Sequence, residues 1–408
     1  MHMKHLYITG ILLLLLIENT AAQFNAQKAV THATKQTRIL LNEVARAKTE
    51  ESNRVSPRTL ENGKLKMVSS KDWTSGFFAG ELWYLFELSG DQQWKQDAQK
   101  YTQAIEPEKL NGTTHDMGFK IYCSFGNGYR ITHNAQYKAV LIQAAKTLSS
   151  RFSPKVGLIR SWDHHSEQWA YPVIIDNMLN LELLFEASKL TGDSSYYKIA
   201  VSHADKTMKN HFRKDYSTYH VVAYNPETGI AEKKQTHQGY SDSSAWARGQ
   251  AWALYGYTMC YRETRNPAYL RQAEKVAQFI FTHPNLPADL VPYWDFNAPG
   301  IPDEPRDVSA ATVMASALYE LSTYSNKSNG YSDKADRIMK SVTTTYASDP
   351  GANKGFILGH STGSKPAGSE IDVPLSYADY YYLEALVRRK NITEKKKLTN
   401  RHKNLNNK

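Results

Sequence analysis

The sequence predicts an all-α protein whose helical hairpins close into a toroid. Three observations predict it. First, a three-residue signature repeats: the spacing from Asp91 to Trp94 to Ala98 recurs as Asp193, Tyr196, Ala200 and as Asn266, Tyr269, Ala273. A looser copy runs Ser328, Tyr331, Ala335, and a partial one Asn134, Tyr137, Leu141. Self-similarity of this kind marks repeated supersecondary units. Second, strand-like stretches are short and local, such as YHVVAY at 219–224. Third, the copies are irregularly spaced, 43 residues from Trp94 to Tyr137 but 73 from Tyr196 to Tyr269. An open solenoid keeps a tighter period, so long connections favour a closed ring with loops crowded at one mouth.

Taken in order, the chain opens on a secretory signal. A polar head around Lys4 precedes the apolar run YITGILLLLLI at 7–17, and TAAQ offers a small-residue cleavage site before Gln23. Eleven apolar residues are too few for an ordinary membrane span. Residues 1–22 are therefore expected to be removed and the protein exported, to the periplasm, with no membrane segment left.

Hairpins follow. Residues 77–98 read FFAGELWYLFELSGDQQWKQDA, residues 178–200 MLNLELLFEASKLTGDSSYYKIA, and residues 251–273 AWALYGYTMCYRETRNPAYLRQA. In each, a Gly-Asp or Asn-Pro turn stops one helix and caps the next. The aromatic and the small residue four positions on share a face that packs on the preceding helix. No Pro-, Gly- or Ser-rich linker divides residues 23–390, read as one domain. From Arg388 to Lys408 there are nine Lys and Arg against one Glu, so most of the net +10 sits in this tail and the rest is near neutrality. The segment 391–408 is expected to be a disordered, solvated basic tail. A nucleic-acid surface needs basic residues spread through the folded part, so nucleic acid is not an expected partner. The two cysteines, Cys123 and Cys260, are consistent with either a disulfide or buried thiols, and no Cys/His spacing suggests zinc.

The segments between hairpins combine aromatic rings with carboxylates and a few Arg, Gln and His, which suits carbohydrate: rings stack on sugar faces and polar groups read hydroxyls. Asp176 stands inside the apolar run YPVIIDNMLNLELLFEAS, beside Asn177 and Asn180. It reads either as a helix N-cap or as an acid whose pKa is raised by apolar surroundings, and both roles are compatible. Asp116, in HDMGF, reads as a turn residue or as the second carboxylate that glycosidic chemistry uses. Arg248, in SAWARGQAW, is four residues from Ser244 and from Trp252, and is suited either to a sugar carboxylate or to an ion pair with an acid such as Asp242. His220 reads as a ligand-contacting imidazole or a structural one. GHSTGSK lacks the glycine of a phosphate loop, and DHH at 163–165 has no second cluster to complete a metal site.

Together DWTSGFFAGELW, THDMGF, YPVIIDNMLNLELLFEAS, THQGYSDSSAWARGQAWALYGY and VPYWDF resemble glycoside hydrolase family 88, the unsaturated glucuronyl hydrolases, over most of the chain. The resemblance implies an (α/α)6 toroid and no metal or organic cofactor. It implies substrates left by polysaccharide lyases, oligosaccharides ending in a 4,5-unsaturated uronic acid, from glycosaminoglycan- or ulvan-type polymers. It implies hydration of the C4=C5 vinyl ether, with Asp176 as general acid and base and Asp116 as the second essential carboxylate. His220, Gln238 and Arg248 match substrate-contacting positions, Trp73 and Trp252 aromatic walls, and Lys365 a contact to the next sugar and its sulfate. Three alternatives remain: the sister family acting on unsaturated galacturonyl-rhamnose, a non-catalytic glycan-binding toroid that would lack one of the acids, and a toroidal lyase, which would use a Tyr/His pair.

Overall fold

The computed structural model describes residues 24–50 and 53–406. The signal segment 1–22 lies outside the described residues. Twelve α-helices and short strands are present among them: α1 (Ala26–Glu50), α2 (Phe77–Ser89), α3 (Gln92–Gln103), α4 (Asn127–Thr132), α5 (Ala135–Ser149), α6 (Asn177–Thr191), α7 (Ser194–Asn210), α8 (Ala247–Thr264), α9 (Pro267–Thr282), α10 (Val308–Leu321), α11 (Ser328–Thr345) and α12 (Ser376–Asn406). A π-helical segment, Gly118–Gly126, runs directly into α4.

The repeat signature is the start of four outer helices, α3, α5, α7 and α9, while the looser copy at Ser328 opens α11 after Lys327 without a side-chain cap. Asp91, Asn134, Asp193 and Asn266 are N-caps whose side chains accept the backbone N–H two residues on, which satisfies a donor the helix itself leaves unpaired. Trp94, Tyr137 and Tyr269 are buried against the preceding helix, as are Ala98, Leu141, Ala200, Ala273 and Ala335. Gly90 and Gly192 end α2 and α6 with φ of 75° and 76°, a left-handed turn that costs glycine little.

The inner helices α2, π/α4, α6, α8, α10 and α12 each pack on the next, and α12 packs back on α2, closing the (α/α)6 toroid. They are apolar nearly all round: every residue of α10 is buried, as is α8 from Ala247 to Cys260. All six run the same way. Their N-terminal ends converge on one mouth, where the long connections lie. Their C-terminal ends meet a polar core at the far end, in which Arg262 is held by Glu182, Glu263 and Glu320. Glu384 there accepts from Tyr84 and Tyr255 at 2.9 and 3.0 Å.

Seven strands decorate the mouth: β1 (Ser56–Glu61), β2 (Lys64–Val68), β3 (Phe152–Ser153), β4 (Leu158–Ile159), β5 (Pro172–Ile174), β6 (Val221–Tyr224) and β7 (Ala231–Gln235). β1–β2 and β3–β4 are antiparallel pairs and β5–β6–β7 an antiparallel sheet.

Two expectations are corrected. The segment after 390 is helical to Asn406, not disordered. It contains no Gly or Pro, is rich in Lys, and extends an existing helix, so it incurs no nucleation cost. Cys123 and Cys260 are both free and buried, which settles the choice between disulfide and thiol.

Candidate active site

A cavity of about 530 Å³ opens at the mouth, lined by residues from nearly every loop, among them Trp73, Asp116, Asp176, Gln238 and Arg248. Asp176 takes the N-cap position of α6 with helical φ and ψ of −55° and −29°, and its side chain makes no capping hydrogen bond. The carboxyl is instead turned to the cavity, 8% exposed, with Oδ2 lacking a hydrogen-bond partner among the described residues. Of its two sequence readings, cap position and raised acid, the geometry keeps the position and frees the carboxyl. Burial pushes its pKa up to about 7, against the lowering pull of His115 and Arg248.

The helix start is fastened by the two flanking amides. Asn177 Nδ2 donates to the Ile159 carbonyl at 3.1 Å, and Asn180 Oδ1 accepts from the Phe119 N–H at 3.1 Å. The second contact brings the Asp116 segment against α6. It depends on Gly118: a Cβ there would lie 2.6 Å from Asn180 Cα. Asp116 is held below the usual carboxylate range. Burial opposes this, but His115, whose Nε2 is 3.2 Å from Oδ1, and the Thr114 hydroxyl on Oδ2 outweigh it. The two carboxyls of one cavity are thus pushed in opposite directions, as acid and base pairs are.

β-pairing delivers His220. β5 and β6 pair Ile174 with Val221, and the Ile175 N–H donates to the His220 carbonyl at 3.1 Å. His220 Nδ1 accepts the backbone N–H groups of His237 and Gln238 at 3.1 and 3.2 Å, so the ring carries its proton on Nε2. Burial lowers its pKa well below the ordinary value, keeping it neutral. It stands behind Asp176, outside the cavity surface.

Arg248, the second residue of α8, is 1% exposed and lies over Trp246 and Tyr377 at 4.6 and 5.3 Å from the ring centroids. Its acid partner is Asp307, the N-cap of α10, at 2.8 Å, and not Asp242, which accepts from the Thr236 N–H. Arg248 also donates to the carbonyls of Thr362 and Gly363, each at 2.6 Å, and Gln238 Nε2 donates to the same Gly363 carbonyl at 3.1 Å. Nε–H and one Nη2–H remain. Ser244 does not share the Arg248 face. It precedes α8, and its hydroxyl donates to Asp295 at 2.7 Å.

Trp73 is half-buried on Phe77, Phe119 and Tyr377 and presents its remaining face to the cavity. Trp252 is not a cavity wall. It is fully buried beneath the floor, against Phe119 and Tyr381 at 5.3 and 5.5 Å, because the helical turn that follows Arg248 carries it below the mouth. Lys365 is also not brought to the cavity surface: its ammonium pairs with Glu304 and lies 5.3 Å from the Trp294 centroid. The cavity adds residues that sequence reasoning missed: Arg58 and Lys71 from the N-terminal segment, His115, Trp162, His164, His237, Glu370 and Tyr377. Trp162 and His164 stack 7° from parallel. The HDMGF and IRSWDHHSEQW segments carried a signal for His115, Trp162 and His164. Nothing local marked Arg58 or Lys71. Among the described residues no group of three or more His, Cys, Asp or Glu is arranged to hold a metal ion.

The profile of Glycosyl Hydrolase Family 88 matches residues 44–391. The chain belongs to that family. This family-88 hydrolase is 54% identical over 327 residues to an unsaturated glucuronyl hydrolase of Formosa agariphila, covering 80% of this chain and 82% of that protein. It superposes on a crystal structure of an unsaturated glucuronyl hydrolase specific for heparin, with a TM-score of 0.84, 45% identity, and coverage of 89% of this chain and 98% of that one. A variant of the Streptococcus agalactiae unsaturated glucuronyl hydrolase complexed with dGlcA-GalNAc6S has a TM-score of 0.74 and 28% identity, covering 90% and 93% of the two chains. The family-88 hydrolase is a glycoside hydrolase with the toroid of its relatives, and the N-terminal ends of its inner helices surround the cavity with the positive poles of their dipoles.

Proposed function

We propose that the protein removes the 4,5-unsaturated glucuronyl residue from the non-reducing end of oligosaccharides released by a polysaccharide lyase, by hydrating the C4=C5 vinyl ether. The observation that carries this is the buried, cavity-facing carboxyl of Asp176 with its pKa raised to about 7, beside an Asp116 held ionised.

The alkene π pair takes the proton of Asp176 at C4, leaving an oxocarbenium ion across C5 and the ring oxygen. Asp176, now a carboxylate, removes a proton from water as that water bonds to C5. The hemiketal opens, the C1 hemiacetal collapses, and the remaining oligosaccharide leaves from a keto acid. The ionised Asp116 supports the developing positive charge. The free N–H groups of Arg248 suit the substrate carboxylate, Gln238 its hydroxyls, and Trp73 a stacking face. Because the chemistry is addition to an alkene, the spacing of the two carboxyls does not predict stereochemical outcome as it does in ordinary glycosidases.

Relatives named for chondroitin disaccharides and for heparin support a glycosaminoglycan-type source. Ulvan-type fragments belong in the same test. The apolar run at 7–17 supports export, with action in the periplasm on fragments taken up there. The test is a panel of lyase digests of heparin, chondroitin, hyaluronan and ulvan, followed by loss of alkene ultraviolet absorbance. Turnover of unsaturated and not of saturated glucuronides is expected. Cleavage of saturated glucuronides alone would overturn the mechanism.

A further inference from the structure

Among the described residues, the cavity carries one full cation that no acid neutralises. Of the permanent cations that line it, Arg58 is paired with Glu370 and Asp72, and Arg248 with Asp307. Lys71 is exposed at the rim, and among the described residues its ammonium has no hydrogen bond, ion pair or ring contact. Its backbone is the opposite of free. The Asp72 N–H donates to the Ser69 carbonyl at 3.2 Å, Asp72 Oδ1 accepts from the Thr74 N–H and hydroxyl at 2.9 and 2.6 Å, and the Ser75 hydroxyl donates to the Ser70 carbonyl at 2.8 Å. A loose ammonium on a fixed stem needs only its own side-chain ordering to bind an anion. Lys365, the cation that the family resemblance places near a second sugar, is already neutralised by Glu304.

Depth assigns the ligand. Asp176 and Arg248 are buried, and Lys71 is exposed. A terminal uronate in the deep end leaves the following sugars at the rim. We infer that Lys71 is a specificity-determining residue, whose ammonium receives an anionic substituent carried by the sugars that follow the unsaturated uronate. The inference rests on the proposed reaction. Two sources share this chemistry: a sulfate on the second sugar, or the carboxylate of a further uronate. The contact is solvent-exposed, so it is modest and weakens with salt.

The experiment compares kcat and KM on three substrates: an unsulfated unsaturated disaccharide, its counterpart with one sulfate on the second sugar, and the unsulfated tetrasaccharide. The proteins are wild type, Lys71→Ala, Lys71→Glu and Lys365→Ala, each checked for an unchanged thermal unfolding midpoint. In Lys71→Ala the preference for the sulfated over the unsulfated disaccharide is expected to fall about fivefold, through KM. Lys71→Glu lowers it further, added salt narrows the difference, and Lys365→Ala leaves the preference in place. A loss confined to the tetrasaccharide supports the inference with a carboxylate as the anion. Unchanged preferences in both Lys71 variants, or a loss reproduced by Lys365→Ala, would overturn it. Wild type that consumes none of the three overturns the reaction reading and this inference with it.

Discussion

His220 Nε2 stands 3.7 Å from Asp176 Oδ2, and among the described residues neither atom has a hydrogen-bond partner. The gap is too wide for a hydrogen bond, so the carboxyl is shielded by a neutral ring and not stabilised by it. That is how a buried aspartate stays protonated near neutrality. Activity requires the acid form of Asp176 and the ionised form of Asp116. The rate is therefore expected to be highest in mildly acidic solution and to fall as pH rises through about 7. Asp176→Asn is expected to lower kcat by about 10³-fold with the fold intact. A pH–rate profile and steady-state kinetics on an unsaturated disaccharide check both.

His220→Ala tests the shielding. Opening that side of Asp176 to water removes part of the desolvation that raises its pKa. The alkaline limb of the kcat/KM profile is expected to move to lower pH. A limb that stays in place would mean that His220 does not set the acid.

Gly118→Ala tests the juxtaposition of the two carboxylates. The new Cβ meets Asn180 Cα at 2.6 Å, so the π-helical segment must draw back from α6. A stability loss of about 1–3 kcal/mol is expected, with kcat reduced more than KM is raised. Thermal unfolding and kinetics on the same preparation separate the two effects.

Arg58 joins the N-terminal hairpin to the far side of the mouth. It donates to both oxygens of Glu370 at 2.6 and 2.8 Å and to Asp72 at 2.8 Å. Arg58→Ala leaves two acids without their cation at the cavity rim. Because Arg58 keeps about a fifth of its surface in water, a modest loss of about 1–2 kcal/mol is expected. The larger effect is a raised KM, readable by substrate titration.

Stability should also depend on pH through a buried pair that does not line the cavity. Glu81 is fully buried with both carboxyl oxygens unpartnered, and Asp379 beside it is pushed by burial to about 8. Both hold protons in the folded state that the unfolded chain releases near pH 4. Folded protein thus binds more protons between about pH 4 and 8, and stability falls as pH rises through that window. Glu81→Gln removes one of the two acids and is expected to flatten the decline, measured as unfolding midpoints from pH 5 to 9.

What sequence reasoning captured was local in the chain. The N-cap, aromatic and alanine spacing reports two turns of helix, and it located the outer helices at Asp91, Asn134, Asp193 and Asn266. Asp176 stood out because a carboxylate in an apolar run needs a reason. What escaped was set by distance along the chain. Asp307 is 59 residues from Arg248, so no local pattern could rank it above the nearer Asp242. Lys365 lies in a plausible loop, but Glu304, 61 residues away, turns it from the cavity. Trp252 has the right residue type, yet helical rise carries it below the floor. Lys71 and Arg58 look like ordinary surface cations until the toroid closes and brings the N-terminal segment to the mouth.

Beside the Arg58–Glu370 pair, the loop carrying residues 361–370 is fastened to the barrel through its own main chain: Arg248 and Gln238 grip the carbonyls of Thr362 and Gly363. Every amino acid supplies a carbonyl. Mutational drift at Ser364, Lys365, Pro366, Ala367 and Ser369 therefore leaves those anchors in place. A lineage can rewrite what this loop displays to an incoming chain without dismantling the acid behind it, and a laboratory can attempt the same exchange by grafting.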